Sequence, residues 1–365
     1  MHPVRIIFHY PGPFHSVADT GEKRRPPRLL AAFRALGIEV FELTGERRER
    51  ARRLPEILRA LPECDFVYSE NSTLPLGLTS HRHLPCWPNP DSALFRAAGR
   101  AGVPAGVFYR DAYWRLPEFR RRIGWLKAAL AIPFYRAELR LYRRCVTRLF
   151  VPSLAFADLF LGFPRDRVAA LPPGGDVVNR PPPLGGDSLS LIYVGNVTPP
   201  LYDLEPLLET VAGLDADGVR LTVVTPAAAW ERNAAWPRPP NLDVQHASGD
   251  ALGPLYARAD AAILAGPTVP YMRVNMPTKF FEAVGHGLPV IAYAGTECGR
   301  LVEGEGLGWS IAADGLASLL RRLRAQPDEV AAVAATVAAK RAAHTWEARA
   351  RQVVRELAGR RRAAR

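Results

Sequence analysis

One segment of the chain, residues 260–293, places basic, acidic and glycine residues around a single short helix. Arg273 lies in the loop after a buried strand, and Pro277 suits the first turn of the helix that follows. Lys279 and Glu282 lie three positions apart on that helix, so they share one face. Basic side chains and helix N-terminal amides bind phosphate oxygens, and a carboxylate accepts hydrogen bonds from ribose hydroxyls. The pattern therefore suits the binding of a sugar diphosphate.

The same spacing has a plainer interpretation, because Lys279 and Glu282 could form only a solvated ion pair on an ordinary helix. Other nucleotide sites are disfavoured, since the sequence holds no GxxxxGKS/T loop and no GxGxxG turn between a strand and a helix. GxSxG, HExxH and the kinase signatures are also absent. The four cysteines lie far apart without a metal-binding or disulfide spacing, which is typical of a reducing compartment.

The run MPTKFFEAVGHGLPVIAY at residues 276–293 closely resembles the donor-binding segment of GT-B glycosyltransferases, most of all the large retaining family 4, or group 1. Residues 191–196 resemble the first strand and glycine turn of the second domain in that family. Residues 242–262 resemble the strand, loop and helix that frame the nucleotide base, and His344-Thr-Trp346 resembles the start of the terminal helix. The resemblance covers residues 189–350.

What this resemblance implies is a hexosyltransferase that uses a nucleotide-diphosphate sugar, with a retaining and metal-independent reaction and no further cofactor. The donor-binding residues that it implies are Gly195, Asn196, His246, Arg273, Lys279 and Glu282. The sequence departs from the family at Val274, where the first of two glutamates eight positions apart usually stands. It also lacks the usual basic residue soon after the glycine turn, which leaves Arg273 as the expected phosphate partner.

Strand-like runs bounded by turn residues recur along the chain in two series, with helical patterns between them. The first series occupies residues 1–172 and the second residues 189–344, with the Pro- and Gly-rich residues 173–188 as a linker. This alternation predicts an α/β protein of two Rossmann-like, doubly wound parallel-sheet domains that face a cleft. Residues 345–365 are predicted to form a helix that packs back on the first domain.

A glycine and a basic cluster follow the first strand, at a turn that should face the cleft. Gly21, Lys23 and Arg24 are therefore predicted to form a loop that approaches phosphates or the acceptor. A solvated basic turn is the alternative. His15 could act as a base, although a lone histidine in a loop more often does not.

The fourth predicted strand runs into the polar and aromatic residues FYRDAYWR at 108–115. A carboxylate at the carboxyl end of a strand lies where α/β sheets place function. Asp111 is therefore the candidate catalytic residue, orienting the acceptor hydroxyl, and the resemblance implies a polar residue here too. A structural contact between Arg110 and Asp111 is the alternative, and Glu70 at the end of the third strand is a second candidate.

The chain carries a formal net charge of +12, and the excess lies in its first half and at its C-terminal end. Residues 1–172 hold 28 Lys and Arg against 16 Asp and Glu, whereas residues 173–344 hold 13 against 18. This asymmetry predicts an anionic partner for the first domain: nucleic acid, a membrane surface or a phosphorylated substrate. A genome-wide bias toward arginine would produce the same excess.

Residues 115–148 concentrate this charge, with 10 Lys and Arg against 2 Asp and Glu. Basic side chains beside Trp and Leu are typical of a helix at a membrane interface. The predicted membrane-facing residues are Arg120, Arg121, Arg122, Trp125 and Lys127; the apolar stripe is Phe119, Ile123, Leu126 and Leu130; and a basic stripe beyond Pro133 is Arg136, Arg140, Arg144 and Arg148. The alternatives are two core-packed helices with solvated arginines, or a nucleic-acid surface, for which no motif exists.

Together these patterns predict a glycosyltransferase acting on a lipid-linked or cell-envelope polysaccharide acceptor. Apolar runs such as residues 128–134 are too short to span a bilayer, and no signal peptide precedes the first strand. The expected location is the cytoplasm, peripheral on the inner face of the cell membrane, with an anionic membrane surface as partner. Metal, cofactor and nucleic acid are not expected. Two alternatives remain: a catalytically silent GT-B protein that binds membrane or a partner, and a sugar-nucleotide epimerase.

Overall fold

The computed structural model describes residues 3–14, 21–80, 83–179, 188–199, 201–266 and 269–363. The chain divides into two compact units: Met1–Pro172 with Arg349–Arg365, and Pro173–Ala348. Each unit is built around one sheet of six parallel strands.

The first unit alternates strands and helices from its N-terminal end. Its strands are β1 (Arg5–His9), β2 (Glu39–Leu43), β3 (Phe66–Glu70), β4 (Ala105–Phe108), β5 (Arg148–Val151) and β6 (Val168–Ala170). Its helices are α1 (Gly21–Ala35), α2 (Arg47–Ala60), α3 (Pro90–Arg100), α4 (Pro117–Ile123), α5 (Trp125–Cys145) and α6 (Leu154–Phe160). The sheet order is β2-β1-β3-β4-β5-β6, so the winding reverses between β1 and β3.

The central strands of this sheet are buried, as expected for strands that helices cover on both faces. All five residues of β3 and all four of β4 are buried. Ile7 on β1 lies opposite Val67 on β3 in a parallel register. Continuous apolar runs are what doubly covered parallel strands require, so the predicted α/β class is confirmed here.

The second unit repeats the pattern with a different winding. Its strands are β7 (Leu189–Val194), β8 (Val219–Val224), β9 (Leu242–Gln245), β10 (Ala261–Ile263), β11 (Val290–Tyr293) and β12 (Gly308–Ile311). Its helices are α7 (Glu205–Ala212), α8 (Ala227–Glu231), α9 (Gly253–Ala257), α10 (Pro270–Val274), α11 (Thr278–Gly285), α12 (Glu297–Glu305), α13 (Leu316–Ala325) and α14 (Pro327–Lys340). The order β12-β11-β10-β7-β8-β9 places the reversal between β7 and β10, and one apolar core lies on each face.

The last helix, α15 (Trp346–Ala363), runs along the first unit over most of its length. Gly106 on β4 leaves the space for it, since a Cβ there would lie 2.7 Å from Leu357 and 2.8 Å from Phe150. At the margin of this contact, Arg148 Nη2 lies 2.6 Å from Glu356 Oε2. The terminal helix is therefore part of the core of the first unit.

The strand predictions are confirmed throughout, but the prediction for residues 115–148 is wrong in two places. The predicted apolar stripe at helical spacing is interrupted at Gly124, whose φ of 82° favours glycine, and α5 continues through Pro133. Arg148 is not part of a helical basic stripe, because it opens β5. Proline is tolerated inside a long helix when neighbouring packing holds the turns on either side, and Ile132 and Tyr135 beside it are buried.

Truncating the fully buried Leu357 to alanine should destabilise the first unit by about 2–5 kcal/mol, because it leaves a cavity between α15 and the sheet. Urea unfolding followed by tryptophan fluorescence measures this loss. Arg351→Ala, an exposed change on the same helix, is the control and should alter stability by less than about 0.5 kcal/mol. Equal effects of the two substitutions would show that α15 does not contribute to the core.

Candidate active site

The loops that follow parallel strands open at one edge of a sheet, and in the second unit this edge holds most of the predicted donor residues. Gly195 and Asn196 follow β7, and His246 follows β9. The Asn196 side chain closes a turn by accepting hydrogen bonds from the Val197 amide and the Thr198 hydroxyl, each at 2.8 Å. His246 is exposed. Its Nδ1 lies 2.8 Å from the Thr225 carbonyl oxygen. The edge thus offers a polar turn and an exposed imidazole whose orientation is fixed from β8.

The basic and acidic residues of the segment 260–293 lie between β10 and β11. Arg273 is exposed at the end of α10. On α11, Lys279 Nζ donates to Glu282 Oε2 at 2.6 Å, and the two side chains are 28% and 15% exposed. The pair is therefore formed in the structure and still open to solvent, so phosphate and hydroxyl groups of a ligand can reach both partners.

The back of α11 is held by the chain segment that enters the second unit. A Cβ at Gly175 would lie 2.1 Å from the carbonyl oxygen of Phe281, and one at Gly285 would lie 2.2 Å from that of Asp176. The Val178 amide donates to the Gly285 carbonyl at 3.0 Å. Backbone packed directly on backbone fixes α11, and with it the position of the Lys279–Glu282 pair.

In the first unit, Asp111 lies three residues beyond the end of β4 and is 8% exposed. Its Oδ2 accepts a hydrogen bond from the Thr73 hydroxyl at 3.1 Å. The Thr73 carbonyl in turn accepts from the Tyr135 hydroxyl on α5 at 2.8 Å. The carboxylate is therefore oriented by the loop after β3, at the carboxyl edge of the sheet.

A second carboxyl group near this edge was not foreseen from the sequence. Glu138 on α5 is buried and accepts hydrogen bonds from the Leu76 amide at 2.7 Å and the Asn71 side chain at 3.0 Å. Burial raises the pKa of Glu138 to about 8, although both hydrogen bonds act in the opposite direction. The negative charge of Asp111 adds to the rise, so Glu138 carries a proton at neutral pH.

This raised pKa gives folding stability a pH dependence that Glu138→Gln should remove. As pH rises from about 4.5 to about 8 the unfolded chain loses the Glu138 proton and the folded chain keeps it, so folding weakens by up to about tenfold per pH unit. Urea unfolding at several pH values should show Glu138→Gln gaining stability relative to wild type up to about pH 8. Glu118→Gln, exposed on α4, should show a constant difference. A difference for Glu138→Gln that does not change with pH would contradict the assignment.

Beneath the first sheet edge lies a fully buried charged cluster. Arg50 on α2 binds both carboxylate oxygens of Asp91, at 2.7 and 3.0 Å, and His9 Nε2 lies 2.9 Å from Asp91 Oδ1. Burial alone would raise the pKa of Asp91, but the His9 hydrogen bond and the Arg50 charge lower it to about 2. His9 Nδ1 also lies 2.7 Å from the Ser69 hydroxyl. Since His9 and Asp91 are sealed from solvent, the cluster supports the strand ends.

The prediction that Gly21, Lys23 and Arg24 form a loop is wrong, because α1 begins at Gly21. Gly21, Lys23 and Arg24 lie in the first turn of α1, and Arg24 is half-buried. The positions 15–20, with His15, lie outside the described residues. The neighbour Arg25 is buried, and its Nε donates to both carboxylate oxygens of Glu70 at 3.0 Å. Glu70, the second catalytic candidate, is thus committed to an ion pair.

The residues predicted to face a membrane meet where α4 and α5 join at Gly124, and we call residues 117–130 the basic elbow. Arg120, Arg121, Arg122 and Lys127 are all exposed. Large apolar side chains stand out beside them: Trp125 is 73%, Leu126 60% and Leu130 71% exposed. The predicted apolar stripe is divided, because Phe119 and Ile123 are half-buried and Phe119 packs edge-on against Tyr135.

None of the helices in the described ranges is long and apolar enough to cross a bilayer. Within the same residues, no group of three or more His, Cys, Asp or Glu side chains is arranged to hold a metal ion.

Residues 204–355 match a family model described as "Glycosyl transferase-like". No curated protein matches the sequence. The predicted class, a glycosyltransferase, is confirmed by the family match together with the fold, and the match covers most of the second unit, including α11.

Solved structures with the GT-B fold match the whole chain. An Anabaena protein, Alr3699/HepE in complex with UDP-glucose, aligns with a TM-score of 0.61 at 14% identity and covers 97% of this chain and 99% of its own. WaaG, a glycosyltransferase involved in lipopolysaccharide biosynthesis, aligns with a TM-score of 0.58 at 15% identity, covering 96% and 99%. WaaB, a lipopolysaccharide outer core galactosyltransferase, reaches 0.56 at 12%, covering 95% and 98%. The predicted GT-B fold is confirmed.

Sequence reasoning missed the buried polar residues of the first unit. Glu138 sits inside a basic helical segment where an acidic residue looks like an ordinary exposed partner. Arg25 is one of two adjacent arginines, and only the structure separates the buried Arg25 from the half-buried Arg24.

Proposed function

We propose that the chain transfers a hexose from a nucleotide-diphosphate sugar to a lipid-linked or polysaccharide acceptor, with retention and without a metal. The observation that carries the proposal is the carboxyl edge of the second sheet. The Gly195–Asn196 turn follows β7, and the segment with Arg273, Lys279 and Glu282 follows the neighbouring strand β10, in the region that matches the glycosyltransferase model or directly beside it. Ligands of open α/β sheets bind at this edge.

The main chemical requirement of the reaction is to stabilise the leaving diphosphate. When the bond between the sugar and the diphosphate breaks, negative charge grows on the phosphate oxygens. Arg273, Lys279 and the N-terminal amides of α11 supply positive charge and N–H donors for it. Glu282 accepts from sugar or ribose hydroxyls and, through its 2.6 Å contact, orients the Lys279 ammonium. His246 and the Gly195–Asn196 turn are assigned to the nucleotide.

On the acceptor side, Asp111 is the proposed catalytic residue. Its carboxylate is held by Thr73 and lies at the carboxyl edge of the first sheet, where it can accept a hydrogen bond from an attacking hydroxyl. Gly21, Lys23 and Arg24 at the start of α1 are assigned to phosphate or acceptor binding.

A second candidate is a catalytically silent protein of the same fold. Val274 favours it, because the position is occupied by an apolar side chain that is only 8% exposed. A carboxylate contact to the donor sugar is missing there. Such a protein would bind a nucleotide or membrane without turnover.

Nucleotide binding should depend on Glu282. The Anabaena neighbour was solved with UDP-glucose, which supports testing uridine donors first. In thermal-shift assays with UDP-glucose and with UDP, GDP, ADP and CMP, one nucleotide class should stabilise the wild type, by about 2.7 kcal/mol at a hundredfold excess over Kd. Glu282→Gln should weaken sugar-nucleotide binding by about 1.5–3 kcal/mol, or roughly 10- to 150-fold.

The matched control is Glu209→Gln, an exposed substitution on α7 of the same unit, which should bind as the wild type does. Equal thermal stabilisation of Glu282→Gln and wild type by the nucleotide sugar would show that Glu282 does not bind the donor. Stabilisation without turnover of any tested sugar would favour the silent protein, and NMR of the product anomer decides between retention and inversion.

We further propose that the basic elbow holds the protein on the anionic cytoplasmic face of a membrane, where a lipid-linked acceptor is available. Four cationic side chains surround three exposed apolar ones, the composition of an interfacial anchor. Each basic residue near an anionic surface contributes about 1 kcal/mol.

Flotation with vesicles should therefore show binding to phosphatidylglycerol-containing membranes and little to phosphatidylcholine alone. Replacing Arg120, Arg121 and Arg122 by glutamine should weaken binding about 100-fold, from three contributions of about 1 kcal/mol. Trp125→Ser should weaken it as well. Leu159→Ser, which changes a 53% exposed leucine on α6, is the control. Equal binding to neutral and anionic vesicles, or to neither, would contradict the proposal.

A further inference from the structure

A buried arginine near the start of α1 has donor groups without acceptors. Arg25 is 3% exposed, and its Nε is engaged by Glu70. Its Nη1 and Nη2 are shielded from solvent and have no hydrogen-bond partner in the described parts of the chain. A buried polar group left unpaired costs about 1–3 kcal/mol, and a charged one more. The four N–H groups of Arg25 Nη1 and Nη2 therefore have no hydrogen-bond acceptor among the described residues.

This guanidinium contacts the carboxyl ends of β3 and β4, and β3 borders the point where the winding of the first sheet reverses. Its Cζ is 3.5 Å from the ring centroid of Phe108, the last residue of β4, and Glu70 is the last residue of β3. β1 and β3 are neighbours although β2 separates them in sequence. In doubly wound sheets, the crevice outside the carboxyl ends at such a reversal is where ligands bind.

The surroundings favour an anion with several oxygens. Glu70 accepts a hydrogen bond from the buried Tyr68 hydroxyl at 2.6 Å in addition to those from Arg25 Nε, so both of its oxygens are engaged and neither accepts from Arg25 Nη1 or Nη2. Around Arg25, residues 21–28 hold four basic residues and one acidic residue, at the positive end of a 15-residue helix. The two free arms of a guanidinium match two oxygens of a phosphate.

We propose that Arg25 binds a phosphate group of the acceptor substrate at this edge of the first sheet. The assignment of this phosphate to the acceptor rests on the proposed function. Phosphate binding by Arg25 does not depend on turnover. A phosphate occurs both on diphosphate-linked lipids and on phosphorylated saccharides. Inorganic phosphate probes the shared chemistry, and pyrophosphate and a hexose phosphate separate the two sources.

Isothermal titration of the full chain with inorganic phosphate tests the site. Arg25→Lys keeps the positive charge and the contact with Glu70 but loses the second arm of the fork, so phosphate affinity should fall at least about tenfold. Arg28→Lys, an exposed arginine one turn further along α1, is the matched control and should bind as the wild type does. Tighter binding of pyrophosphate than of hexose phosphate assigns a diphosphate-linked lipid, and the reverse order assigns a phosphosaccharide.

Absence of phosphate binding by the wild type, or equal affinity of wild type and Arg25→Lys, would overturn the proposal. Urea unfolding checks that Arg25→Lys is folded. If it is not, the double variant Arg25→Met/Glu70→Gln removes both partners of the buried pair and is titrated in its place, with the same tenfold loss expected. The titration does not depend on sugar transfer. A protein that binds phosphate through Arg25 but transfers no sugar would contradict the proposed function and still support this site.

Discussion

The structure depends on one constraint: a parallel strand buried on both faces must be followed by a helix that returns across the sheet. The return places every strand-to-helix loop at the same edge. Asp111 after β4, the Gly195–Asn196 turn after β7 and His246 after β9 owe their positions to this rule and not to any contact between them. In open α/β sheets ligands bind at this carboxyl edge.

That edge is stabilised in different ways in the two units. In the first, buried ion pairs such as Arg50–Asp91 and Arg25–Glu70 tie the strand ends to the helices beside them. Buried pairs of this kind contribute little net stability, but breaking one is costly, so they fix geometry. In the second unit, glycines fix the geometry. Gly175 and Gly285 each lie close to a carbonyl oxygen of the facing chain segment, and this packing holds α11 in place. The helix α11 is thus positioned by backbone packing and not by the charges of Lys279 and Glu282.

Most of the fold could be predicted from the sequence because apolar runs and turn residues alternate along almost its whole length. The exposure of the basic elbow was also predicted, because basic side chains beside Trp125 are typical of a helix at a membrane interface. The break at Gly124 was missed because the apolar residues on either side of it keep helical spacing, yet the glycine, with its φ of 82°, ends α4. Burial could not be predicted for Arg25 or Glu138. Whether a charged residue points inward depends on partners from β3 and the loop after it, which lie far away in sequence.

The terminal helix has a consequence for how this protein is made. Leu357 fills the space above Gly106, so the first unit is completed by residues from the end of the chain. During synthesis the first 172 residues leave the ribosome with that apolar surface uncovered, and it stays uncovered until the second unit has emerged as well. Chains usually fold domain by domain from the N-terminus, but here the N-terminal unit must be the last to finish. A nascent chain that ends before α15 therefore lacks the side chains that complete the core of the first unit.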